Sequence, residues 1–398
     1  MEKALLLYSG GLDTSCMLTW IQEQYDADVV ALTLDVGQQE SYLEEVKEKA
    51  LKLGAVEAFV EDVKDDFVNG YIKKSIKANG LYQEQYPLST ALARPLMSEV
   101  AIEYAKKTGS DAIVHGSTGK GNDQVRFEVS LKALAKDIEV LAPVRKWNMD
   151  RDAEIEYAKL KNIPIPVDVK SPYSTDENLW GRSIECGVLE DPAEEPPSEI
   201  FKFTTPIDNV PDEPEYITLE FEEGVPVALN GSKMELKDLI IKLNDIAGKH
   251  GVGVIDMVED RVVGLKSREI YECPAAVTII KAHKELEKYC STRHQNEFKP
   301  LVDKKWSEMV YQGLYLDPLM DNLQAYIDNV NEGVKGSVKM KLFKGRATVT
   351  GRESEEGLYE FSLATYDKDS TFDQGSSVGF IDIWGLPTKV SKGKKLTE

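Results

Sequence analysis

The stretch Ser9-Gly10-Gly11-Leu12-Asp13-Thr14-Ser15 sets two glycines, three hydroxyls and a carboxylate directly after the apolar run Ala4–Tyr8. Apolar residues at helical spacing follow it (Met17, Leu18, Ile21), so the pattern reads as strand, Gly-rich turn and helix start. Such a turn aims backbone N–H groups into one space, where the helix N-terminus adds about half a positive charge. That chemistry suits a phosphate; for glycines alone, a tight turn without a ligand is the alternative. Asp13 is the odd member, because a carboxylate repels phosphate. It fits either a Mg²⁺ ligand or a helix cap. A second loop, "HGSTGKGNDQVRFE" (His115–Glu128), also follows an apolar run and crowds Thr118, Lys120, Asn122, Asp123, Gln124 and Arg126 around three glycines.

The elements that must position these loops alternate. Strands are expected at Ala4–Tyr8, Val29–Leu34, Val56–Val60, Ala112–His115 and Ile138–Ala142, and helices at Ser41–Leu53, Ala91–Thr108 and Arg151–Lys161. This alternation predicts an α/β fold with a parallel sheet covered on both faces. Ligands of such sheets bind beyond the carboxyl ends of the strands, so both loops can share one edge and one pocket. Past residue 190 the pattern changes. "EDPAEEPPSEIFKFTTPIDNVPDEPEY" carries six prolines and many acids and reads as a surface excursion. Beyond it, Tyr216–Phe221 with Val225–Leu229, and 336–351 about Lys344-Gly345, read as hairpins, with a helix over about Met234–Lys249. Strands and helices there are mixed without alternating, which predicts an α+β second half.

At 398 residues the chain exceeds what one core usually organises. Asp and Glu outnumber Lys and Arg by 69 to 48, leaving a net charge of −21. A grip on a nucleic-acid backbone needs a basic surface, so no nucleic-acid partner is expected. No apolar run approaches the roughly 20 residues of a membrane span, and Met1 leads straight into a strand with no signal-peptide layout. The expected place is the cytoplasm, with no membrane partner. Four scattered cysteines without a C-x-x-C pair argue against a disulfide framework. The four histidines form no metal-ligating spacing.

The order S-G-G-x-D-x-S resembles the pyrophosphate loop (PP-loop) of the ATP pyrophosphatase superfamily. With "STALARP" (Ser89–Pro95), the "HGSTGKGNDQVRFE" loop, "DENLWGRS" (Asp176–Ser183), "AGKHGVG" (Ala247–Gly253) and "VGLKSREIYECPA" (Val263–Ala275), the likeness narrows to the argininosuccinate synthase family. All six motifs occur in that family's order, and the likeness extends over essentially the whole chain. The resemblance implies a ligase of arginine biosynthesis that joins L-citrulline to L-aspartate. ATP goes to AMP and pyrophosphate with Mg²⁺, through a citrullyl-adenylate. It implies an adenine nucleotide alpha hydrolase-like domain over 1–165, a synthetase and multimerisation domain over 166–360 and a C-terminal oligomerisation arm over 361–398, assembled as a homotetramer.

The same resemblance assigns residues. Leu7, Tyr8, Ser9, Gly10, Gly11, Leu12, Asp13, Thr14 and Ser15 would cradle the triphosphate, with Leu34 at the adenine and Gly116 closing over the nucleotide. Thr118, Asn122 and Asp123 would hold aspartate: two donors for its carboxylates and one acceptor for its amine. Tyr86, Thr90, Asn122, Arg126, Ser174, Ser183, Glu259 and Tyr271 would hold citrulline, with Arg126 a two-toothed donor to its carboxylate and Glu259 facing its ammonium. The family position after Thr90 can carry a hydroxyl; here it is Ala91, which leaves Thr90 to serve. No resident metal cluster is implied. Superfamily relatives that modify tRNA would want a basic face, and thiolases among them a cysteine pair; amidotransferase-type synthetases would want a glutaminase. A nucleotide sensor without catalysis would not need Glu259 and Tyr271.

Overall fold

Central strand β1 (Lys3–Leu7) is apolar on both sides, and its alternate residues enter two different cores. Leu5 and Leu7 face one, while Ala4 and Leu6 face the other. A computed structural model describes residues 1–38, 40–147, 151–164 and 172–395. Its first part runs β1, α1 (Leu12–Tyr25), β2 (Asp28–Asp35), α2 (Glu40–Lys52) and β3 (Glu57–Asp62). Short turns α3 (Lys64–Phe67) and α4 (Lys73–Lys77) then precede the long α5 (Ser89–Thr108). β4 (Ala112–Val114), α6 (Asp123–Leu134), β5 (Glu139–Leu141), α7 (Val144–Trp147) and α8 (Arg151–Leu160) complete it.

All five strands pair in parallel, in the order β3-β2-β1-β4-β5. α5 contributes Ala91, Leu92, Leu96 and Ile102 to the core on one face, and α1 and α2 bring Met17, Leu18, Val46 and Ala50 to the other. The expected α/β sheet is thus present, with its strands within two residues of the expected bounds. Strand order reverses at β1, which has β2 on one side and β4 on the other. That reversal opens a crevice at the carboxyl edge, between the loops that follow β1 and β4.

The later part holds two antiparallel sheets. β6 (Ser174–Asn178) and β7 (Gly181–Glu185) form a hairpin in the sheet β11-β12-β7-β6. β8 (Glu215–Glu222), β9 (Val225–Leu229) and β10 (Ser232–Lys233) join the sheet β10-β9-β8-β13-β14. Next come α9 (Leu236–Lys249), β11 (Val254–Asp260), β12 (Lys266–Glu272), α10 (Pro274–Cys290), α11 (Arg293–Tyr311), α12 (Pro318–Asn331), β13 (Gly336–Phe343) and β14 (Arg346–Glu353). Both expected hairpins form. At the second, Lys344 and Gly345 take φ of 45° and 76°, the left-handed pair a tight two-residue turn demands. Helices α10 to α12 and the β11–β12 pair are not among the expected elements, although Pro274, the Thr292–Gln295 capping box and Asp317-Pro318 stand at the helix starts.

The chain forms two compact units, Met1–Glu356 and Gly357–Glu398. Within the first, one core runs from Leu5 and Val30 through α5 to Leu219, Ile279 and Trp306. The expected division at 165/166 lies outside the described residues. The second unit contains α13 (Phe361–Ala364), α14 (Ser376–Trp384) and α15 (Leu386–Lys395), with no buried residue in α13 or α14.

The proline-rich excursion has only 3-10 turns for regular structure, and one side chain pins it. Glu272, fully buried, accepts the backbone N–H groups of Lys202, Phe203 and Thr204, the Thr204 hydroxyl, and Arg182 Nη1 at 2.9 Å. Removing a buried partner strands the opposite charge and several donors. Glu272→Ala is therefore expected to cost about 3–5 kcal/mol of unfolding free energy, measured by urea denaturation.

Candidate active site

The two polar loops touch. A Cβ placed on Gly116 would lie 3.6 Å from Thr14 Cγ2. Around them opens a cavity of about 1080 Å³, ample for a nucleotide and two amino acids. Leu7, Tyr8, Ser9, Gly11, Leu12, Asp13 and Thr14 line it from the first loop, Leu34 from the end of β2, and Gly116, Thr118, Asn122 and Asp123 from the second loop. Tyr86, Thr90, Arg126, Ser174, Ser183, Glu259 and Tyr271 line the remaining wall. Gly10 and Ser15 complete the expected set without reaching the cavity surface.

Those two residues shape the first loop instead. Gly10 sits at φ +77°, a backbone that glycine alone enters without strain. Its carbonyl accepts from Lys49 Nζ on α2 at 2.7 Å. Ser15 donates to the Gly11 carbonyl at 2.7 Å and lies 3.0 Å from the Tyr8 hydroxyl. Thr33 Oγ1 donates to the Tyr8 carbonyl at 2.7 Å. With these carbonyls engaged on the protein side, the turn offers the cavity N–H groups, hydroxyls and the N-terminus of α1.

The second loop leads into α6 through paired charges. Asp123 accepts from Arg94 Nε and Nη2 at 3.0 and 2.7 Å and from Arg126 Nη1 at 2.8 Å. Burial alone would raise the Asp123 pKa, but the two guanidiniums outweigh it and hold the carboxyl well below the usual range. Arg94 also pairs with Asp176 on β6. Arg126 gives Nε to the Tyr311 carbonyl at 3.0 Å, while its buried Nη2 has no hydrogen-bond partner among the described residues. A buried guanidinium nitrogen without a partner, on a residue that lines the cavity, is a donor with hydrogen-bonding capacity to spare.

His115 opens this loop. Burial pulls its pKa down to about 4, so the ring is neutral near pH 7. Nδ1 accepts from the Ser117 N–H at 3.2 Å, which leaves the proton on Nε2.

The opposite wall belongs to the β11–β12 pair and the β6–β7 hairpin. Glu259, almost wholly buried, accepts from the Tyr271 hydroxyl at 2.7 Å and the Tyr311 hydroxyl at 2.5 Å. Nearby Glu269 is pushed up to about 8 by burial and by Glu185 and Glu259. This corner carries more carboxylate than cation and attracts an ammonium. Tyr86 stacks on Tyr271 with centroids 4.0 Å apart, and its hydroxyl meets Thr90 Oγ1 at 2.7 Å. The hairpin is docked where α5 begins: Asn178 Nδ2 donates to the Ser89 carbonyl and Trp180 Nε1 to that of Pro87. That docking brings Ser174 and Ser183 to the cavity.

Arg94, Asp176, Lys49 and Tyr311 escape the sequence reading. Arg94 and Asp176 lie inside "STALARP" and "DENLWGRS", so their motifs mark them. Lys49 and Tyr311 sit in ordinary helices with no local sign. Among the described residues no group of three or more His, Cys, Asp or Glu could hold a metal ion, and no helix is long and apolar enough to cross a membrane.

Lys49→Met frees the Gly10 carbonyl to turn toward the cavity. Calorimetric titration is expected to show a nucleoside triphosphate binding about fivefold more weakly to this variant than to the parent protein.

Comparison with known proteins agrees over nearly the whole chain. Residues 3–164 match the arginosuccinate synthase N-terminal HUP domain and residues 173–391 the arginosuccinate synthase C-terminal domain. The chain is 55% identical to the argininosuccinate synthase of Pyrococcus furiosus, over 96% of this chain and 93% of that one. Against the Halalkalibacterium halodurans enzyme of the same name identity is 54%, covering 98% and 95%. Against the Bacillus subtilis enzyme it is 51%, covering 100% and 98%. The chain belongs to the argininosuccinate synthase family.

Proposed function

We propose that this chain is the ATP-dependent ligase that makes L-argininosuccinate from L-citrulline and L-aspartate, cleaving ATP to AMP and pyrophosphate, in arginine biosynthesis. The observation that carries the reading is the single cavity in which a phosphate-cradling turn faces two differently charged amino-acid walls. The ureido oxygen of citrulline attacks the α-phosphorus and expels pyrophosphate. First-loop N–H groups, Ser9, Thr14 and the α1 N-terminus receive the departing charge. Leu34 borders the adenine and Gly116 closes over the nucleotide. The aspartate amine then attacks the ureido carbon of the citrullyl-adenylate and displaces AMP.

Citrulline lies with its ammonium toward Glu259 and Tyr271 and its carboxylate toward Arg126 Nη2, bordered by Tyr86, Thr90, Ser174 and Ser183. Thr118 and Asn122 face the aspartate carboxylates, and the ionised Asp123 holds the amine in line. No proton-relay triad is required; alignment and charge neutralisation carry the chemistry. Mg²⁺ fits this wall in one way: Asp13 is the first-loop carboxylate on the cavity, and Mg²⁺ commonly takes one or two carboxylates plus substrate phosphates. When bound it neutralises charge on the triphosphate.

The reading extends to the whole molecule. Nucleotide-binding and synthetase domains divide near residue 165. Four free cysteines suit the reducing cytoplasm. In the C-terminal unit Phe380, Ile381, Ile383 and Trp384 are each more than half exposed. An apolar run of that kind suits an arm that packs on other copies, in a homotetramer.

Citrulline carrying ¹⁸O at the ureido oxygen tests the chemistry. The label is expected in AMP after one turnover; unlabelled AMP removes the adenylate. Arg126→Leu tests the site. The citrulline KM is expected to rise on the order of 100-fold, with the ATP KM within about twofold. An equal rise in both would count against the assignment.

A further inference from the structure

The Tyr311 hydroxyl is buried at the end of α11, away from the cavity surface, yet it touches both amino-acid sets. It lies 2.8 Å from Asn122 Nδ2 and 2.5 Å from Glu259 Oε1. The direction of both bonds is determined. The Val262 N–H can only donate, and it reaches Asn122 Oδ1 at 2.8 Å, so the atom facing Tyr311 is the amide nitrogen. The hydroxyl therefore accepts from Asn122 and gives its own proton to Glu259. Tyr271 donates to the other oxygen of the same carboxylate. Burial and the Glu259 charge raise the Tyr311 pKa far above neutrality, so the hydroxyl remains a donor at every working pH.

The rest of Tyr311 fixes a third residue. Its carbonyl takes Arg126 Nε at 3.0 Å, and the guanidinium lies over its ring at 4.8 Å. On its other side the ring stacks on Tyr82 with centroids 3.5 Å apart. Two residues on, Gly313 approaches α6 so closely that a Cβ there would sit 2.8 Å from Arg126 Cα. One helix end thus braces Arg126 while its hydroxyl joins Asn122 to Glu259.

We propose that Tyr311 is a positioning residue for both amino-acid substrates and couples their binding through the chain Asn122–Tyr311–Glu259. The inference rests on the site reading above, in which Asn122 serves aspartate and Glu259 and Arg126 serve citrulline. An ammonium arriving at Glu259 draws on the charge that orders the Tyr311 hydroxyl. The change passes to the Asn122 amide, because hydrogen bonds in a chain polarise one another. Coupling of this kind is reciprocal.

Tyr311→Phe deletes the hydroxyl and keeps the ring, the stack and the backbone bond to Arg126. Steady-state kinetics are expected to show the citrulline and aspartate KM values each raised about tenfold, with the ATP KM and kcat within about threefold. A purely structural tyrosine would lower the active fraction, hence kcat, and leave the KM values alone. Gly313→Ala keeps the hydroxyl but pushes α11 off Arg126; it is expected to raise the citrulline KM with the ATP KM unmoved. Calorimetric titration of citrulline beside α,β-methylene-ATP, which cannot release pyrophosphate, reads the coupling. Saturating aspartate is expected to tighten citrulline several-fold in the parent protein and by less than about twofold in Tyr311→Phe. Amino-acid KM values unchanged in Tyr311→Phe, or citrulline affinity in the parent that ignores aspartate, overturn the inference. Glu259→Gln separates the two levels. An unchanged citrulline KM there removes the site reading itself, whereas a raised one beside a silent Tyr311→Phe removes only the inference.

Discussion

Parallel pairing of β1 with β4, registered Leu6 against Val114, is the constraint from which the site follows. A strand with β2 on one side and β4 on the other must leave its following loop beside the loop of its new neighbour. That places the Ser9–Ser15 turn against Gly116, although about a hundred residues separate them along the chain. Both faces of β1 are close-packed, Leu5 and Leu7 in one core and Ala4 and Leu6 in the other, so a one-residue slip would force the wrong side-chain volumes into both cores. The later contributions are built outward from that sheet: α5 packs on it, the β6–β7 hairpin docks where α5 begins, and β12 pairs with β7.

A protein with net charge −21 can still receive anions, because charge is managed locally. At the nucleotide end the donors are backbone N–H groups and a helix terminus, which add positive potential through the backbone itself. At the amino-acid end the buried charges are paired across elements: Asp123 with Arg94 and Arg126, and Asp176 with Arg94. Such pairs gain little for stability over an apolar packing. They hold Asp123 ionised and orient Arg126, which is what ligand recognition uses.

The phosphate turn was legible because its parts are contiguous and their chemistry is local. The same holds for the parallel sheet, whose strands are short apolar runs bounded by turn residues, and for the tight hairpin at Lys344-Gly345. Helices α10 to α12 escape the sequence reading although Pro274, the Thr292–Gln295 capping box and Asp317-Pro318 mark their starts, since such local signals do not say what a helix packs on. Gly10 and Ser15 were legible as members of the loop, but their work is to shape it through Lys49, Gly11 and Tyr8. Burial decided that.

By itself the sequence determined the α/β class, the two polar loops and the family whose motifs they share, since each depends on neighbours along the chain. Tertiary structure decided which side chains meet. Arg94 spans Asp123 and Asp176, Lys49 holds the Gly10 carbonyl, Glu272 gathers the proline-rich excursion, and Tyr311 joins Asn122 to Glu259. Each of these bonds spans at least 29 positions along the chain. Hydrogen bonds and ion pairs of that separation carry no periodicity or motif. They exist only once the cores have closed and brought distant polar atoms within 3 Å of one another.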